Sequence, residues 1–202
     1  MKSCFVLGNG PSLSSIDNSY LDKLPAFGSN RIFLKYTPKF YACVNPTEAR
    51  KYPKEIEELR SVKYVTDAVD IPGCTPLHST SLVRFSTNPL WAVNEGWSVS
   101  YVLLQLAYFY GFKRVYLLGM DHRYNYTGSP NEEVSWTGQD SNHFSKEYVL
   151  PGDRWNCPDL EKSTYYFKVA KEVYEADRRE IINLTEGSAL DVFPFGKLED
   201  VK

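Results

Sequence analysis

The sequence predicts an α/β fold, a Rossmann-like three-layer sandwich in which helices cover both faces of a mainly parallel sheet. Apolar segments of strand type alternate with segments of helical composition along the 202 residues, which is typical of parallel sheets. The segment 114–118 (RVYLL) is a continuous apolar run, as expected for a parallel strand buried on both faces. It follows the clearest helix, 98–110, which has one apolar face and ends at Gly111. A chain of this length can bury one good core, so we expect a single domain over residues 1–202.

The other elements are predicted in chain order. Strands are expected at 4–7, 27–34, 40–45, 62–65 and 180–184, and helices at 16–24, 47–59 and 158–176. Pro53 interrupts the second of these helices, so its regular part is expected to begin there. The stretch 70–94 is irregular and contains three prolines, which predicts a long loop or edge strands. The segment 122–157 is polar and aromatic without apolar periodicity, and we interpret it as a lid that orders over a substrate.

Composition and charge exclude several classes of protein. The formal net charge is −2 and acids and bases are mixed along the chain, so no nucleic-acid partner is expected. The four cysteines are scattered without a CxxC pair, which predicts reduced thiols and neither a disulfide framework nor a zinc site. The sequence has no signal peptide and no apolar run that could span a bilayer. We therefore expect a cytoplasmic protein without an integral membrane segment.

The segment 3–15 (SCFVLGNGPSLSS) is predicted to form a complete ligand-binding loop. A short strand is followed by a sharp turn, and Pro11 and the serines suit the opening of a helix. Glycines allow a close approach of the backbone to a ligand, and a helix N-terminus offers free N–H groups to a phosphate. The residues of this nucleotide-phosphate cradle would be Gly8, Asn9, Gly10, Pro11 and Ser12. The alternative is a plain strand-to-helix turn, because the loop matches neither the GxGxxG pattern nor a Walker loop.

Further polar residues are expected at the same edge of the sheet, where parallel sheets bind their ligands. Asn45 and the segment Gly119-Met120-Asp121 follow or close a strand, and Asn30 joins them if its strand is short. Ser98 and Ser100 lie at the start of a helix. Asparagine amides suit a base or a ribose, although turns at strand ends also use asparagine. Gly119 and Asp121 are counted with the nucleotide-binding residues, but Asp121 could equally cap the turn.

The order of these motifs resembles a known family. GNGPSL after the first strand, GSN near the second, Asn-Pro after the third and a helix leading into GFKRVYLLGMD are similar to the family 42 sialyltransferases. They are at least as similar to the archaeal-type 6-hydroxymethylpterin diphosphokinase-like domain. The likeness covers roughly residues 1–45 and 98–121, with the elements in the same order.

The resemblance implies a nucleotide-dependent transferase. The sialyltransferase likeness implies a glycosyltransferase with a CMP-sugar-type donor, a small or glycan acceptor and no required cofactor. The diphosphokinase likeness implies transfer of pyrophosphate from ATP with Mg²⁺, which Asp121 and Asp140 could hold through water and phosphate oxygens. A third alternative is a non-catalytic module that binds a nucleotide. The oligomeric state stays open, with a homo-oligomer among the alternatives.

The resemblance also implies roles for single residues. Residues 8–12, Asn30 and Asn45 would contact the donor nucleotide, and Ser98 and Ser100 would face its sugar acid or phosphate.

In the lid, the same resemblance implies that Tyr124 and Tyr126 stabilise the leaving phosphate and that His143 is the general base. The alternative for His143 is a surface histidine that caps a turn, and His122 is a second candidate base. The composition of the lid adds Arg154 and Trp155, which could clamp a phosphate or a sugar with a guanidinium fork and an apolar ring. Trp155 could instead anchor the lid to the body.

Overall fold

A seven-stranded parallel sheet forms the centre of the molecule in a computed structural model that describes residues 2–201. Nine strands occur in this range: β1 (Ser3–Leu7), β2 (Ala26–Ser29), β3 (Phe40–Cys43), β4 (Val62–Thr66), β5 (Cys74–Leu77), β6 (Arg114–Leu118), β7 (Glu133–Ser135), β8 (Arg154–Asn156) and β9 (Glu180–Asn183). The order in the sheet is β5-β4-β3-β2-β1-β6-β9, and every neighbouring pair is parallel. This confirms the predicted α/β class with a mainly parallel sheet.

Helices cover both faces of the sheet and complete the three layers. They are α1 (Asn18–Leu21), α2 (Pro46–Lys51), α3 (Pro53–Glu58), α4 (Val99–Phe109) and α5 (Leu160–Ala176). Alternate residues of β1 enter two separate cores: Cys4 and Val6 pack with residues of α4 and α5, whereas Phe5 and Leu7 pack with residues of α1, α2 and α3. Each side chain of β1 is thus buried on one face or the other, which is why this strand contains a run of apolar residues.

The chain changes direction across the sheet after β5. Strands β1 to β5 follow one another towards one edge, and the chain then returns through α4 to place β6 on the other side of β1. The strand order therefore reverses between β1 and β6. In open parallel sheets, a crevice forms at the carboxyl ends of the strands at such a reversal, and ligands bind there.

Several predicted boundaries are wrong for local reasons. The expected helix 16–24 is a single turn, α1, which begins after Asp17, whose side chain caps it by accepting from the amide of Ser19 at 2.7 Å. A separate 3-10 helix, Pro11–Ser15, comes before it. The strand expected at 27–34 ends at Ser29, since Asn30 takes a left-handed φ of 50° and begins another 3-10 helix.

Other boundaries agree more closely with the prediction. Pro53 begins α3 as expected, and the irregular stretch 70–94 contains the edge strand β5. The last helix begins at Leu160, because Asp159 caps it. The four cysteines are free thiols, as predicted. Within residues 2–201, the helices are all too short or too polar to cross a membrane.

The lid segment 122–157 has little regular structure. Strands β7 and β8 pair as an antiparallel hairpin that stands apart from the main sheet. Arg31 holds the lid to the body by donating hydrogen bonds to the backbone carbonyls of Glu147 and Tyr148. Lys51 adds an ion pair of 2.5 Å with Asp153. The lid therefore lies closed against the carboxyl ends of β1, β2 and β3.

Candidate functional site

The loop after β1 and the loop after β6 are in direct contact. The amide of Gly8 donates to the carbonyl of Leu118 at 2.8 Å, and the amide of Gly10 donates to that of Gly119 at 2.9 Å. A Cβ atom at Gly8 would lie 2.3 Å from the carbonyl oxygen of Gly119, a distance that no side chain tolerates. Gly119 itself has a φ of 69°, which favours glycine. The close contact between the two loops is therefore sufficient reason for Gly8 and Gly119.

Asp121 accepts the hydrogen bonds that a bound phosphate was expected to accept from this loop. Its carboxylate accepts from the hydroxyl of Ser12 at 2.7 Å and from the amide of Ser12 at 3.2 Å. A Cβ atom at Gly10 would lie 2.0 Å from Oδ2 of Asp121, so glycine is needed here to admit the carboxylate. The helix behind the loop is a 3-10 helix of five residues, which has little dipole to offer. The anion at this helix end is a side chain of the protein.

A third loop fixes the segment that follows β6. The amide of Met120 donates to the hydroxyl of Thr185 at 3.0 Å, and the hydroxyl of Ser188 donates to the carbonyl of Met120 at 2.5 Å. The amide of Ala189 donates to the carbonyl of Asp121 at 2.9 Å. The backbone around Asp121 is thus held from both sides before any ligand binds.

A small pocket lies between these loops, the start of α4 and the first residues of the lid. Eight residues that the sequence predicted as site residues line it: Gly8, Asn9, Gly10, Ser98, Ser100, Gly119, Asp121 and Tyr124. The remaining lining residues are Met120, His122, Arg123, Asn142 and Phe167. The pocket is therefore at the carboxyl ends of β1 and β6, at the reversal of strand order. Predicted site residues outside the lining are Pro11, Ser12, Asn30, Asn45, Tyr126, His143, Arg154 and Trp155.

The backbone is strained at three non-glycine residues around this site. Asn30, Trp97 and His122 have φ values of 50°, 58° and 56°. Trp97 comes directly before the pocket residue Ser98, and His122 lines the pocket. A left-handed backbone is uncommon for such side chains and costs about 1–3 kcal/mol per residue. Strain of this kind collects at binding and catalytic sites, so its position agrees with that of the pocket.

His143 and Asp140 form a hydrogen-bonded pair in the lid. Nδ1 of His143 lies 2.7 Å from Oδ2 of Asp140, whose side chain is completely buried. Asp140 also accepts from the amides of Asn142 at 2.8 Å and Val149 at 3.1 Å. Because the carboxylate accepts at Nδ1, the neutral ring carries its proton on that nitrogen and its lone pair on Nε2. Nε2 has no hydrogen-bond partner within residues 2–201.

Two tyrosine rings surround this histidine. The ring of Tyr148 stacks on that of His143 with centroids 3.9 Å apart and an angle of 5° between the planes. Tyr124 packs edge-on with its centroid 6.4 Å away, and it also lines the pocket. Burial, with smaller contributions from Asp121 and Asp140, raises the pKa of Tyr124 to about 12. Its hydroxyl is therefore a protonated donor at neutral pH, on a residue that contacts both the histidine ring and the pocket.

His122 is engaged through its ring and is not a free base. Its Nε2 lies 2.8 Å from the hydroxyl of Thr164, and the carbonyl of Leu160 also interacts with the ring. Burial lowers its pKa, so the ring is neutral at pH 7. We conclude that His122 fixes the start of the lid against α5.

The two asparagines predicted to bind a nucleotide differ in their surroundings. Asn45 is exposed, and its side-chain oxygen caps α2 by accepting from the amide of Thr47 at 2.9 Å. Asn30 has a buried side-chain oxygen without a partner within residues 2–201, as does Asn9. The structure therefore gives Asn45 a capping role and leaves acceptors at Asn9 and Asn30 for a ligand or for water.

Tyr126, Arg154 and Trp155 belong to the lid hairpin. The hydroxyl of Tyr126 donates to the carbonyl of Pro158 at 3.1 Å. Arg154 forms an exposed ion pair with Glu133 across the hairpin and does not line the pocket. The ring of Trp155 packs against Tyr126 and Trp136, with centroids 5.8 and 5.4 Å away. Tyr126 and Trp136 are themselves lid residues, so these contacts hold Trp155 within the lid and do not link the lid to the body.

Arg123 is the charged pocket residue that sequence reasoning missed, and Asn142 and Phe167 were missed as well. Arg123 is exposed, lines the pocket and has neither a hydrogen bond nor an ion pair within residues 2–201. A cation two residues beyond Asp121, at the end of a buried parallel strand, was the available signal. Arg154 was chosen because it stands next to a tryptophan.

The two carboxylates suggested for Mg²⁺ already accept hydrogen bonds from the protein. Asp121 already accepts two hydrogen bonds from Ser12, and Asp140 accepts from two amides and from His143. Mg²⁺ demands near-octahedral oxygen ligands with free lone pairs. Within residues 2–201, no group of three or more histidine, cysteine, aspartate or glutamate residues is placed to hold a metal.

A comparison with solved structures agrees with the fold. The chain resembles the structure of the MAf glycosyltransferase from Magnetospirillum magneticum AMB-1, with a TM-score of 0.63 and 13% sequence identity. The match covers 100% of this chain and 34% of that chain, so this chain spans about a third of that protein's length. No family model and no curated protein matches the sequence. The fold is thus Rossmann-like and is shared with part of a glycosyltransferase.

Proposed function

We propose that this protein is a nucleotide-dependent transferase, and specifically a glycosyltransferase that uses a nucleotide-sugar donor of the CMP type. The observation that carries the proposal is the Asp140–His143 pair, whose histidine ring packs against Tyr124. Tyr124 in turn lines the pocket at the reversal of strand order. The fold that this chain shares with part of a glycosyltransferase supports the same class.

The proposed donor binds across the carboxyl ends of the strands. The partnerless side-chain oxygens of Asn9 and Asn30 are acceptors for the base or the ribose. Ser98 is the N-cap of α4, a helix of eleven residues, and its side chain makes no capping hydrogen bond. The first turn of this helix faces the pocket through Ser98 and Ser100, which suits a phosphate or a sugar carboxylate.

The proposed reaction is a direct displacement. The acceptor hydroxyl oxygen attacks the anomeric carbon of the donor sugar while Nε2 of His143 takes the hydroxyl proton. The bond from that carbon to the phosphate oxygen breaks, and its electron pair stays on the leaving phosphate. Tyr124 donates a hydrogen bond to the charge that develops there. Asp140 is a positioning residue, because it keeps the proton on Nδ1 and orients the ring.

Substitution of the histidine tests this mechanism. We expect His143→Ala to lower transfer by about 10²- to 10⁴-fold while nucleotide binding is retained. His78→Ala is a matched control, since His78 forms an exposed pair of 2.8 Å with Asp67 elsewhere in the molecule. Unchanged turnover in His143→Ala would show that His143 is not the base.

A panel of nucleotides identifies the donor. CMP, CDP, UDP and ATP, each with and without Mg²⁺, are compared by thermal shift. We expect CMP to raise Tm without a metal. Stabilisation by ATP that requires Mg²⁺ would instead support the diphosphokinase-like alternative. Binding without transfer to any acceptor would indicate a non-catalytic module.

A further inference from the structure

The charged side chains that line the pocket leave one cation without a counterion. Three titratable groups other than Tyr124 line it, namely Asp121, His122 and Arg123. Asp121 is held by two donors of Ser12, and the ring of His122 is neutral at pH 7 because burial lowers its pKa. Arg123 has no acceptor within residues 2–201. Its guanidinium is therefore the group in this pocket that is free to bind an anion.

The backbone before Arg123 is fixed in an unusual conformation. His122 has a φ of 56°, and its ring is tied to Thr164 of α5 at 2.8 Å. Ser188 and Ala189 hold the two preceding carbonyls. The direction in which the chain leaves β6 is thus set on both sides of the turn. This arrangement presents Arg123 at the pocket without any contact that neutralises its charge.

We propose that Arg123 is the anion-binding residue of the donor site. Its planar fork of N–H groups binds the donor's anionic group, which is the nucleotide phosphate or the carboxylate of an acidic sugar. This inference rests on the proposed function for the identity of the ligand. It assigns to Arg123 the role that the sequence suggested for Arg154, which is paired with Glu133 outside the pocket.

The charges around the pocket favour Arg123 over the glycine loop as the group that binds the anion. The amide and hydroxyl of Ser12 bind Asp121, so an incoming phosphate finds a carboxylate beside that loop. A phosphate next to a carboxylate is repelled unless a cation offsets the charge. Arg123 is two residues from Asp121 and lines the same pocket. An anion bound between Arg123 and the first turn of α4 has a cation beside it, and that cation offsets the repulsion from Asp121.

Calorimetric titration of three variants tests the proposal. The variants are Arg123→Ala, Arg123→Lys and the matched control Arg154→Ala, and the probes are CMP, cytidine, CMP-linked sialic acid and inorganic pyrophosphate. We expect Arg123→Ala to weaken CMP binding by about tenfold or more and to leave cytidine unchanged, because cytidine has no anion. Arg123→Lys keeps the charge without the fork, and we expect an intermediate loss. Arg154→Ala should bind all probes like the wild type.

The probes separate the two anions. A loss for CMP in Arg123→Ala assigns the phosphate. Wild-type affinity for CMP together with a loss for CMP-linked sialic acid assigns the carboxylate. Equal affinity of Arg123→Ala and the wild type for every probe overturns the proposal.

The same titrations distinguish this inference from the proposed function. If pyrophosphate binds the wild type but not Arg123→Ala while no nucleotide binds, Arg123 is an anion site and the glycosyltransferase assignment fails. If nucleotides bind both proteins equally, the assignment stands and the role of Arg123 fails. Absence of all binding to the wild type overturns both.

Discussion

Asp121 shows how one side chain can decide what a glycine loop binds. Its two carboxylate oxygens accept from Ser12, which lies 109 residues earlier in the sequence. The loop sequence alone predicts a phosphate cradle, but the anion beside the loop is Asp121, from the loop that follows β6. We infer that the loop positions Asp121 and Asn9, and that a ligand meets the loop through the pocket that these residues line.

Gly10→Ala tests this tight contact. The new Cβ atom would lie 2.0 Å from Asp121 Oδ2 and 2.8 Å from the carbonyl oxygen of Gly119, so the carboxylate must move. We expect a loss of about 1–3 kcal/mol in the free energy of unfolding, measured by urea denaturation, because overpacking distorts the backbone. Ser14→Ala is the control, since Ser14 is exposed and its hydroxyl donates to the carbonyl of Pro11 in its own turn. Equal stability of the two variants would contradict the contact.

Glu48 gives the protein a pH dependence that can be measured. Burial raises its pKa, although Lys51 and Arg31 lower it in part, and Oε2 has no hydrogen-bond partner within residues 2–201. A raised pKa means that the folded state binds the proton more tightly than the unfolded state does. This contribution to stability is fully present below the ordinary pKa of 4.5 and is lost as the pH rises through the raised value.

We therefore expect Glu48→Gln to raise Tm relative to the wild type at pH 7, because the variant removes a charge that burial disfavours. The difference should disappear as the pH falls below 4.5, where both side chains are neutral. Thermal unfolding between pH 4 and pH 8 measures it. Glu58→Gln, an exposed change in the next helix, should show no such trend. A Tm difference that is independent of pH would contradict the assignment.

The lid depends on a small number of contacts with the body. Arg31 is buried below Tyr52 and Tyr148, with its guanidinium carbon 4.4 Å from the centroid of the first ring. It donates to two lid carbonyls, and the amide of Phe144 donates to the carbonyl of Asn9 at 3.0 Å. These contacts close the lid over the strand ends that the proposed donor occupies. Under the proposed function, the lid therefore opens before the donor enters.

Arg31→Lys is expected to loosen this closure. Lysine keeps the charge but cannot reach two carbonyls with a planar fork, so amide exchange in residues 142–149 should accelerate by about tenfold. Hydrogen–deuterium exchange followed by mass spectrometry measures the effect. Arg50→Lys is the control, because Arg50 also donates to a carbonyl, that of Ala68 at 3.2 Å, away from the lid. Unchanged protection of 142–149 would show that Arg31 does not hold the lid.

At the scale of the whole molecule, the sequence predicted the sheet better than the site. The strand 114–118 was predicted without error, since a short apolar run between a helix end and Gly119 leaves little choice of structure. The end of β2 was not predicted correctly, because the left-handed backbone of Asn30 leaves no periodic pattern in the sequence. Residues that follow strands, such as Asp121, were placed correctly at the strand ends by the rule for parallel sheets.

The lid residues were harder to predict for a physical reason. No periodicity relates Arg123, Tyr126 and Arg154 to the pocket, so the path of the chain decides which of them reaches it. Similarly, the Ser12–Asp121 contact joins two segments on either side of the reversal in strand order. Sequence patterns report local structure, whereas these contacts depend on the complete topology.

The central position of β1 has a consequence for how the chain is made. Strand β1 pairs with β2 on one side and with β6 on the other, yet β6 begins at Arg114. A ribosome releases β1 through β5 before β6 exists, so β1 presents an open, apolar edge during that interval. A fragment of residues 1–113 should aggregate or bind chaperones, whereas the full chain should remain monodisperse in light scattering. The pocket is then one of the last parts of the protein to form during synthesis.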